Sequence, residues 1–183
     1  MVLLAGAASP DYDPLTRTIS RLAVPGMPAA ALVDVAITLV AVTCCALAVT
    51  LKVASIAGRG SLAVAGGAFA AAALIHLDPD SATSTALHRA ASGIAVAALT
   101  AAPFLLARHY GRVSVAVGLA EVAMLALALV LLPTSFNGWG AWERLTLAIP
   151  LGWMVLLSVM AWRTDSRDAM ASAAAATVNN KGS

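Results

Sequence analysis

The stretch PAAALVDVAITLVAVTCCALAVTL, residues 28–51, contains a single charged side chain, Asp34. An α-helix needs about 20 predominantly apolar residues to cross the hydrocarbon core of a bilayer. This stretch is long enough and apolar enough to do so, between Pro25-Gly26 on one side and Lys52 on the other. It predicts a transmembrane helix, and it directs the interpretation of the whole chain toward a membrane protein.

The composition of the chain agrees with this interpretation. Of 183 residues, 61% are hydrophobic and 11% are charged, and the mean hydropathy is +0.89. A soluble domain carries roughly a quarter charged residues, so the excess apolar surface is expected to face lipid. The net charge of +2 gives no indication of a nucleic-acid partner. The adjacent Cys44 and Cys45 lack a CxxC spacing, which predicts packing residues rather than a disulfide or a zinc site.

Four further apolar stretches follow the first, and short polar segments separate them. The predicted spans are residues 28–51, 61–77, 85–107, 113–132 and 142–162. Because the connecting segments are short, sequence neighbours are expected to run antiparallel. The sequence therefore predicts an all-α fold, a polytopic transmembrane helical bundle with five full spans.

The two ends of the chain add no full span. Residues 1–9 (MVLLAGAAS) are apolar but too short to cross a bilayer, and they lack the basic region of a signal peptide. They are interpreted either as the remnant of a truncated sixth helix or as a segment on the outer surface. Residues 164–183 contain mostly small and polar side chains and are predicted to form a disordered cytoplasmic tail.

Basic residues set the expected orientation. Seven of the eleven lysines and arginines fall on one side of the predicted spans: Lys52, Arg59, Arg108, Arg112, Arg163, Arg167 and Lys181. The positive-inside rule assigns that side to the cytoplasm. The sequence predicts a multi-pass protein of the cell membrane with a cytoplasmic C-terminus, and it places residues 11–27 outside.

Many of the remaining ionisable side chains then fall on the outer face. This predicted cluster comprises Asp11, Asp13, Arg17, Arg21, His76, Asp78, Asp80, His88, Arg89, Glu143 and Arg144. One interpretation is a shallow polar pocket for a lipid headgroup, a metal or a small solute. The other is that these side chains cap helix ends and cross-link loops through ion pairs.

His76 and His88 flank a predicted hairpin of about a dozen residues, so their rings are candidates to meet across it. With a third ligand from Asp78, Asp80 or Glu143 they would suit zinc, and opposed histidines would suit a haem iron. An interfacial histidine is more often a hydrogen-bonding group. The sequence therefore assigns no metal and no cofactor, and keeps these two histidines as candidates only.

Two carboxylates lie within predicted spans, Asp34 in the first and Glu121 near the middle of the fourth. Each costs at least about 2.5 kcal/mol against lipid, so both are expected to face the bundle interior. No basic residue lies at a matching depth, so Glu121 is expected to be protonated and hydrogen-bonded. Candidate partners are Ser92, Thr100, Thr38 and Ser158. Intramembrane acids also mark proton or substrate paths, and the two interpretations weigh equally here.

Small residues recur at four-residue spacing on two predicted spans. Ala63, Gly67 and Ala71 do so on the second, and Ser114 and Gly118 on the fourth. Small residues at this spacing let helices approach closely. The pattern predicts helix contacts within the bundle, with a dimer seam as the alternative.

Three segments bear a family resemblance: DYDPLTRTISRL (11–22), HLDPDS…LHRAAS (76–92) and GWGAWERL (138–145). With the span pattern, they resemble the DUF998 family of six-helix membrane proteins. Members typically have a YDPL segment after the first helix, an aspartate-proline turn with a histidine, and a G…ER motif before the last helix. The resemblance implies a helical membrane protein and no established activity. Two departures are the missing first helix and Arg21, which stands where an acidic residue is expected.

The sequence contains no phosphate-binding loop and no HExxH, GxSxG or GxGxxG motif. The leading hypothesis is a non-catalytic integral membrane protein that binds lipid or serves as an accessory subunit. Its expected partners are the lipid bilayer and other membrane subunits. One alternative is a membrane-embedded hydrolase or metalloenzyme that uses the outer-face cluster. The other is a proton-linked permease that uses Asp34 and Glu121.

Overall fold

A computed structural model describes residues 12–51 and 54–180 of the chain, with side chains up to Arg163 and that of Ser166. The elements are a 3-10 helix, Ile19–Arg21, and four α-helices: α1 Ala30–Thr50, α2 Ile56–Leu74, α3 Ala82–Leu131 and α4 Trp139–Asn180. All regular structure in the described residues is helical. Each α-helix contains a stretch long and apolar enough to cross a membrane, which in α4 is Trp139–Arg163. The all-α class and its apolar, membrane-length helices are confirmed.

The number of helices differs from the predicted five spans. The predicted spans 85–107 and 113–132 both lie in α3, a single element of 50 residues, so four helices are found in the described residues. The physical reason is that the polar segment between them, residues 108–112, forms no loop and is helical except at one residue. Helical structure stops and restarts at one residue, Gly111, whose φ of 73° and ψ of −161° are not helical.

The backbone reverses direction at Gly111. In a continuous helix, Phe104 and Gly118 would be about 21 Å apart along the axis. Instead, a Cβ placed on Gly118 would lie 2.6 Å from Cε2 of the Phe104 ring. The two halves of α3 therefore lie side by side, and we call residues 82–110 arm 1 and residues 112–131 arm 2. Only glycine adopts this backbone conformation readily, which explains how one residue turns the chain.

The second helix begins five residues before the predicted boundary at Ser61 because its first turn is satisfied by local bonds. Ser55 caps the helix by accepting a hydrogen bond from the Gly58 N–H at 3.1 Å. Arg59 lies inside the first turn, and its Nε donates to the Ala48 carbonyl at 2.6 Å. The arginine bonds to the end of α1, and it is part of a helix rather than of a loop.

Contacts between elements define two ends of the bundle. At one end, which contains Gly111, the Ser55 hydroxyl donates to the Leu105 carbonyl at 2.8 Å. At the opposite end, residues 12–29 pack against the start of α4, where the Ala141 N–H donates to the Leu15 carbonyl at 3.0 Å. We call these the Gly111 end and the capped end.

Helices α1 and α2 approach each other closely at Gly66, where the surrounding atoms leave no room for a side chain. A Cβ there would lie 2.9 Å from the Ala41 carbonyl oxygen and 2.6 Å from Cys45 Sγ. The predicted small-residue face of α2 is therefore wrong by one residue, since Ala63 and Gly67 are exposed. Neighbouring residues on a helix point about 100° apart, so spacing alone did not select the buried face.

The other predicted packing residues are buried as expected. Ser114 and Gly118 of arm 2 face the bundle interior. Cys44 is buried with its Sγ 3.5 Å from the Met154 Sδ, whereas Cys45 is exposed, and both thiols are free.

The structure describes the backbone near the C-terminus to residue 180, whereas near the N-terminus it begins at residue 12. Residues 1–11, which include the apolar segment 1–9 and Asp11, lie outside the described residues. The backbone of α4 remains helical to Asn180, through most of the segment predicted as a disordered tail. This part of the chain is rich in alanine, the residue with the highest helix propensity.

Candidate functional site

The segment that begins at Tyr12 is held at the capped end through its own backbone. The Tyr12 hydroxyl donates to the carbonyl oxygens of Arg17 and Thr18, at 2.8 and 3.1 Å. These bonds close the YDPLTRT sequence into a loop. Tyr12 is buried, and it also accepts a hydrogen bond from Nη2 of Arg144 at 2.6 Å.

Arg144 is the main connection between this loop and α4. Its Nη1 donates to the carbonyl oxygens of Pro14, Gly140 and Arg17, at 2.7, 2.8 and 3.3 Å. Its guanidinium also lies over the Tyr12 ring, 5.6 Å from the centroid, in a cation–π arrangement. A planar group with five donors suits this set of acceptors, which a lysine ammonium would not satisfy equally.

Gly140 and Glu143 complete the docking surface on α4. A Cβ on Gly140 would lie 2.5 Å from the Pro14 carbonyl oxygen and would also overlap the Arg17 carbonyl oxygen. The Glu143 carboxylate accepts the backbone N–H of Ile19. The YDPL and GWGAWER segments, singled out in the sequence, therefore bind each other, and this contact places residues 12–22 over the bundle.

The acidic residues of the predicted outer cluster mostly stabilise turns. Asp13 is exposed, and its two oxygens accept from the Leu15 N–H at 3.0 Å and the Thr16 hydroxyl at 2.9 Å. These hydrogen bonds hold the pKa of the Asp13 carboxyl below its usual value. Asp78 accepts from the Asp80 N–H at 2.9 Å in the turn before α3.

His76 bonds to Asp34, in a contact that is an ion pair when the imidazole is protonated. The His76 Nε2 lies 2.9 Å from Asp34 Oδ2, and the two side chains are 32% and 29% exposed. The other Asp34 oxygen, Oδ1, is buried without a hydrogen-bond partner. The expectation that Asp34 faces the interior holds in part, and its partner is a histidine of the connection between α2 and α3.

His88 is buried and bonds to a different group of atoms. Its Nδ1 lies 2.7 Å from the Ile75 carbonyl oxygen and 3.1 Å from that of Ala72. Because carbonyl oxygens only accept, Nδ1 carries the hydrogen. His76 and His88 are thus engaged separately. Among residues 12–51 and 54–180, no three His, Cys, Asp or Glu side chains are placed to hold one metal ion.

A large cavity of about 1260 Å³ lies at the capped end, beneath the docked segment. It is bounded by the segment itself, the α2–α3 turn, arm 1 and the start of α4. Its ionisable lining residues are Arg17, Arg21, His88, Arg89 and Glu143. Three of these residues are arginines, all of them exposed, and the one carboxylate, that of Glu143, already accepts the Ile19 N–H. In the described part of the chain, none of the three arginines forms an ion pair.

A smaller apolar cavity of about 320 Å³ adjoins the first. It lies between α1 and α4 and is lined by Ile19, Ala36, Ile37, Val40, Phe69, Leu99, Arg144, Leu147, Ala148 and Leu151. Both cavities are lined by Ile19, Ile37, Phe69 and Leu147. Together they form a space that is basic near the end of the bundle and apolar further along the helices.

Glu121 is buried in arm 2, as expected for an intramembrane carboxylate. It is 1% exposed, and its Oε1 has no hydrogen-bond partner. Two of its predicted partners, Thr38 and Ser158, are exposed on other faces. Thr100 is buried and also has no partner for its hydroxyl.

The structure therefore divides the predicted site residues into groups. Arg17, His88, Arg89 and Glu143 are brought together around the large cavity, with Arg144 on the adjoining apolar one. Asp13, Asp78 and Asp80 belong to turns, and His76 pairs with Asp34. Sequence reasoning missed Tyr12 and Gly140, although both belong to segments that it had singled out.

A match to a known family covers the elements that build this site. The sequence profile of DUF998, described as a protein of unknown function, matches residues 1–160. The chain belongs to the DUF998 family. The match covers the docked segment, the apolar helices and both cavities, and it confirms the resemblance noted in the three sequence segments. No curated protein and no solved structure matches this DUF998 chain.

Proposed function

We propose that this DUF998 protein is a non-catalytic membrane protein that binds one anionic phospholipid. The headgroup occupies the basic cavity at the capped end, and an acyl chain occupies the apolar cavity between α1 and α4. The observation that carries this proposal is the shared lining of the two cavities, because a polar space continuous with an apolar one fits an amphipathic molecule.

The charge of the larger cavity supports an anionic headgroup. Arg17, Arg21 and Arg89 have no carboxylate within ion-pair distance among the described side chains. Arginine binds phosphate oxygens through charge-assisted, bidentate hydrogen bonds. A phosphate would therefore balance positive charge that the protein leaves unbalanced.

The position of the smaller cavity supports an acyl chain. Its lining comes mainly from helix faces of α1 and α4, and Arg144 is its one charged lining residue. The Arg144 guanidinium is already bonded to three carbonyl oxygens and to Tyr12. The remaining side chains offer only apolar contact, which suits a hydrocarbon chain rather than a polar solute.

For membrane topology we propose five spans, with the capped end outside and the C-terminus in the cytoplasm. The reversal at Gly111 supports counting arms 1 and 2 as separate spans. Arg59, Arg108 and Arg112 lie near the Gly111 end, in agreement with the positive-inside rule. Single cysteines at Asp13 and at Arg112, in a background without Cys44 and Cys45, test this in intact cells. An impermeant maleimide is expected to label the first and not the second, and the reverse pattern would overturn the orientation.

Lipid binding is tested by native mass spectrometry of the purified full chain. The protein is exchanged into nanodiscs that contain equal amounts of phosphatidylglycerol and phosphatidylcholine. We expect one retained phosphatidylglycerol. Each of Arg17→Gln, Arg21→Gln and Arg89→Gln is expected to weaken retention about fivefold, since one basic residue near a charged lipid contributes about 1 kcal/mol.

Arg112→Gln is the matched control, because Arg112 is an exposed arginine at the Gly111 end. It removes the same charge and is expected to leave retention unchanged. Equal retention of the two lipids, or an unchanged affinity in the triple arginine variant, would overturn the proposal. Accessory association with other membrane subunits, and the hydrolase and permease alternatives, stay predictions from the sequence.

A further inference from the structure

Besides Asp34 Oδ1, three buried oxygen atoms within the apolar helices have no hydrogen-bond partner. They are Oγ1 of Thr100, Oε1 of Glu121 and Oγ1 of Thr146. The three residues are 7%, 1% and 4% exposed. A buried polar atom left without a partner costs about 1–3 kcal/mol, so three of them in one small bundle need an explanation.

Two hydrogen bonds fix how arm 2 lies against α4. The Trp153 Nε1 donates to the Ser114 hydroxyl at 3.0 Å, and the Trp142 Nε1 donates to the Met124 carbonyl at 3.0 Å. Going from Trp142 to Trp153 along α4 therefore corresponds to going from Met124 back to Ser114 along arm 2. The two helices are antiparallel, with a nearly constant register between these contacts.

This register places Thr146 and Glu121 at the same level. Thr146 lies one helical turn from Trp142, and Glu121 lies just under one turn from Met124, in the corresponding direction. Both are on the buried faces of their helices. The two buried side chains therefore lie at one level of the contact between arm 2 and α4.

The reversal at Gly111 places Thr100 at this level as well. Phe104 of arm 1 lies against Gly118 of arm 2. Thr100 lies one turn from Phe104 toward the capped end, and Glu121 lies just under one turn from Gly118 in the same direction. One carboxylate and two hydroxyls thus converge from three helical segments.

We propose that Thr100, Glu121 and Thr146 form a binding site for a monovalent metal cation such as Na⁺. Carboxylate and hydroxyl oxygens are ligands of hard cations rather than of zinc or copper. No hydrogen bond joins these oxygens to one another or to another group, so all three are available as ligands. In this site the cation takes the place of the proton expected on Glu121, so the carboxylate supplies one negative charge, which one monovalent cation balances. A divalent cation would leave an uncompensated positive charge in a region of low dielectric constant.

The large cavity provides the route to this site. Thr146 lines it, as does Val96, which lies one turn from Thr100 on arm 1. The cation therefore enters from the capped end. Thr146 is thus the one of the three residues that lines the cavity, and the cation would pass it to reach Glu121 and Thr100.

Thermal unfolding of the full chain in detergent tests this site without any knowledge of the lipid. Tryptophan fluorescence is followed in sodium, potassium or choline chloride at about 0.15 M, so that ionic strength is constant. We expect sodium or potassium to raise Tm by about 3–6 °C over choline, the shift for a cation at about ten times its Kd.

Glu121→Gln is expected to remove this shift, and Thr146→Val and Thr100→Val to reduce it by at least half. Ser114→Ala is the matched control, because Ser114 shares the buried face of Glu121 but bonds to Trp153. It is expected to keep the full shift. Equal Tm values in the three salts would overturn the proposal, as would a full shift in Glu121→Gln. If Glu121→Gln does not fold, a full shift in both threonine variants overturns it instead.

Discussion

The two ends of this bundle are closed in different ways. At the Gly111 end, helices contact each other directly, and a Cβ on Gly58 would lie 2.5 Å from the Leu106 side chain. At the capped end, the gap between helices is covered by residues 12–29, beneath which the large cavity remains. The first end is closed by direct packing of helices, with hydrogen bonds from Ser55 and Arg59 to neighbouring helices. The second depends on a few polar side chains that bind a separate piece of backbone.

The largest effect is expected from Gly140→Ala, which acts on the capped end. The added Cβ would overlap the carbonyl oxygens of Pro14 and Arg17. Both are backbone atoms, so the docked segment must move as a whole. We expect a loss of about 2–3 kcal/mol in the free energy of unfolding, measured by thermal or denaturant unfolding in detergent.

Gly152→Ala is the control for this substitution, because no atom lies within 4 Å of a Cβ at that position of the same helix. It is expected to be neutral or slightly stabilising, as alanine favours helix over glycine. Equal stability of the two variants would mean that the docking of residues 12–22 contributes nothing to the folded bundle.

A smaller effect is expected from Gly66→Ala, which acts on the direct contact between α1 and α2. The new Cβ would meet the Cys45 Sγ at 2.6 Å and the Ala41 carbonyl oxygen at 2.9 Å. The thiol can rotate away, so we expect a loss of about 1–2 kcal/mol by the same unfolding measurement. Gly67→Ala, one residue later with open space around it, should leave stability within about 0.5 kcal/mol of the wild type. If the two variants behave alike, the packing face of α2 has been assigned to the wrong residues.

The smallest effect is expected from the ion pair at the capped end. His76 and Asp34 are each about 30% exposed, and pairs of this kind contribute about 0–1 kcal/mol. A double-mutant cycle with His76→Ala and Asp34→Ala measures the coupling directly. A coupling well above 1 kcal/mol would show that this end is held by charge pairing as well as by bonds to backbone carbonyl groups.

The sequence predicts the apolar helices well because their signal is local. Length and hydropathy alone locate α1 and the apolar part of α4 to within three residues. The early start of α2 was missed because Arg59 suggests a loop, although its side chain reaches the end of α1. The joining of two predicted spans into α3 was missed because Arg108 and Arg112 suggest a polar loop, whereas only Gly111 between them leaves the helical conformation.

The candidate site was predicted less completely because its contacts are distant in sequence. Hydrogen bonds from Arg144 to residues 12–17 join positions more than a hundred residues apart. Composition placed the ionisable residues at one face, but it predicted ion pairs where Arg144 and Glu143 bind backbone groups instead. The positions of these residues along the sequence also did not show which of them line the cavity, as Arg89 does, and which stabilise a turn, as Asp78 does.

The reversal at Gly111 has a consequence for how the protein enters its membrane. With a single residue between the arms, no stretch of chain is available to remain behind while one arm inserts alone. On the proposed five-span topology, arms 1 and 2 would therefore enter the bilayer together as a helical hairpin, with Arg108 and Arg112 left at the cytoplasmic surface. The same geometry leaves no loop there for a protease to cut or for an epitope tag to occupy.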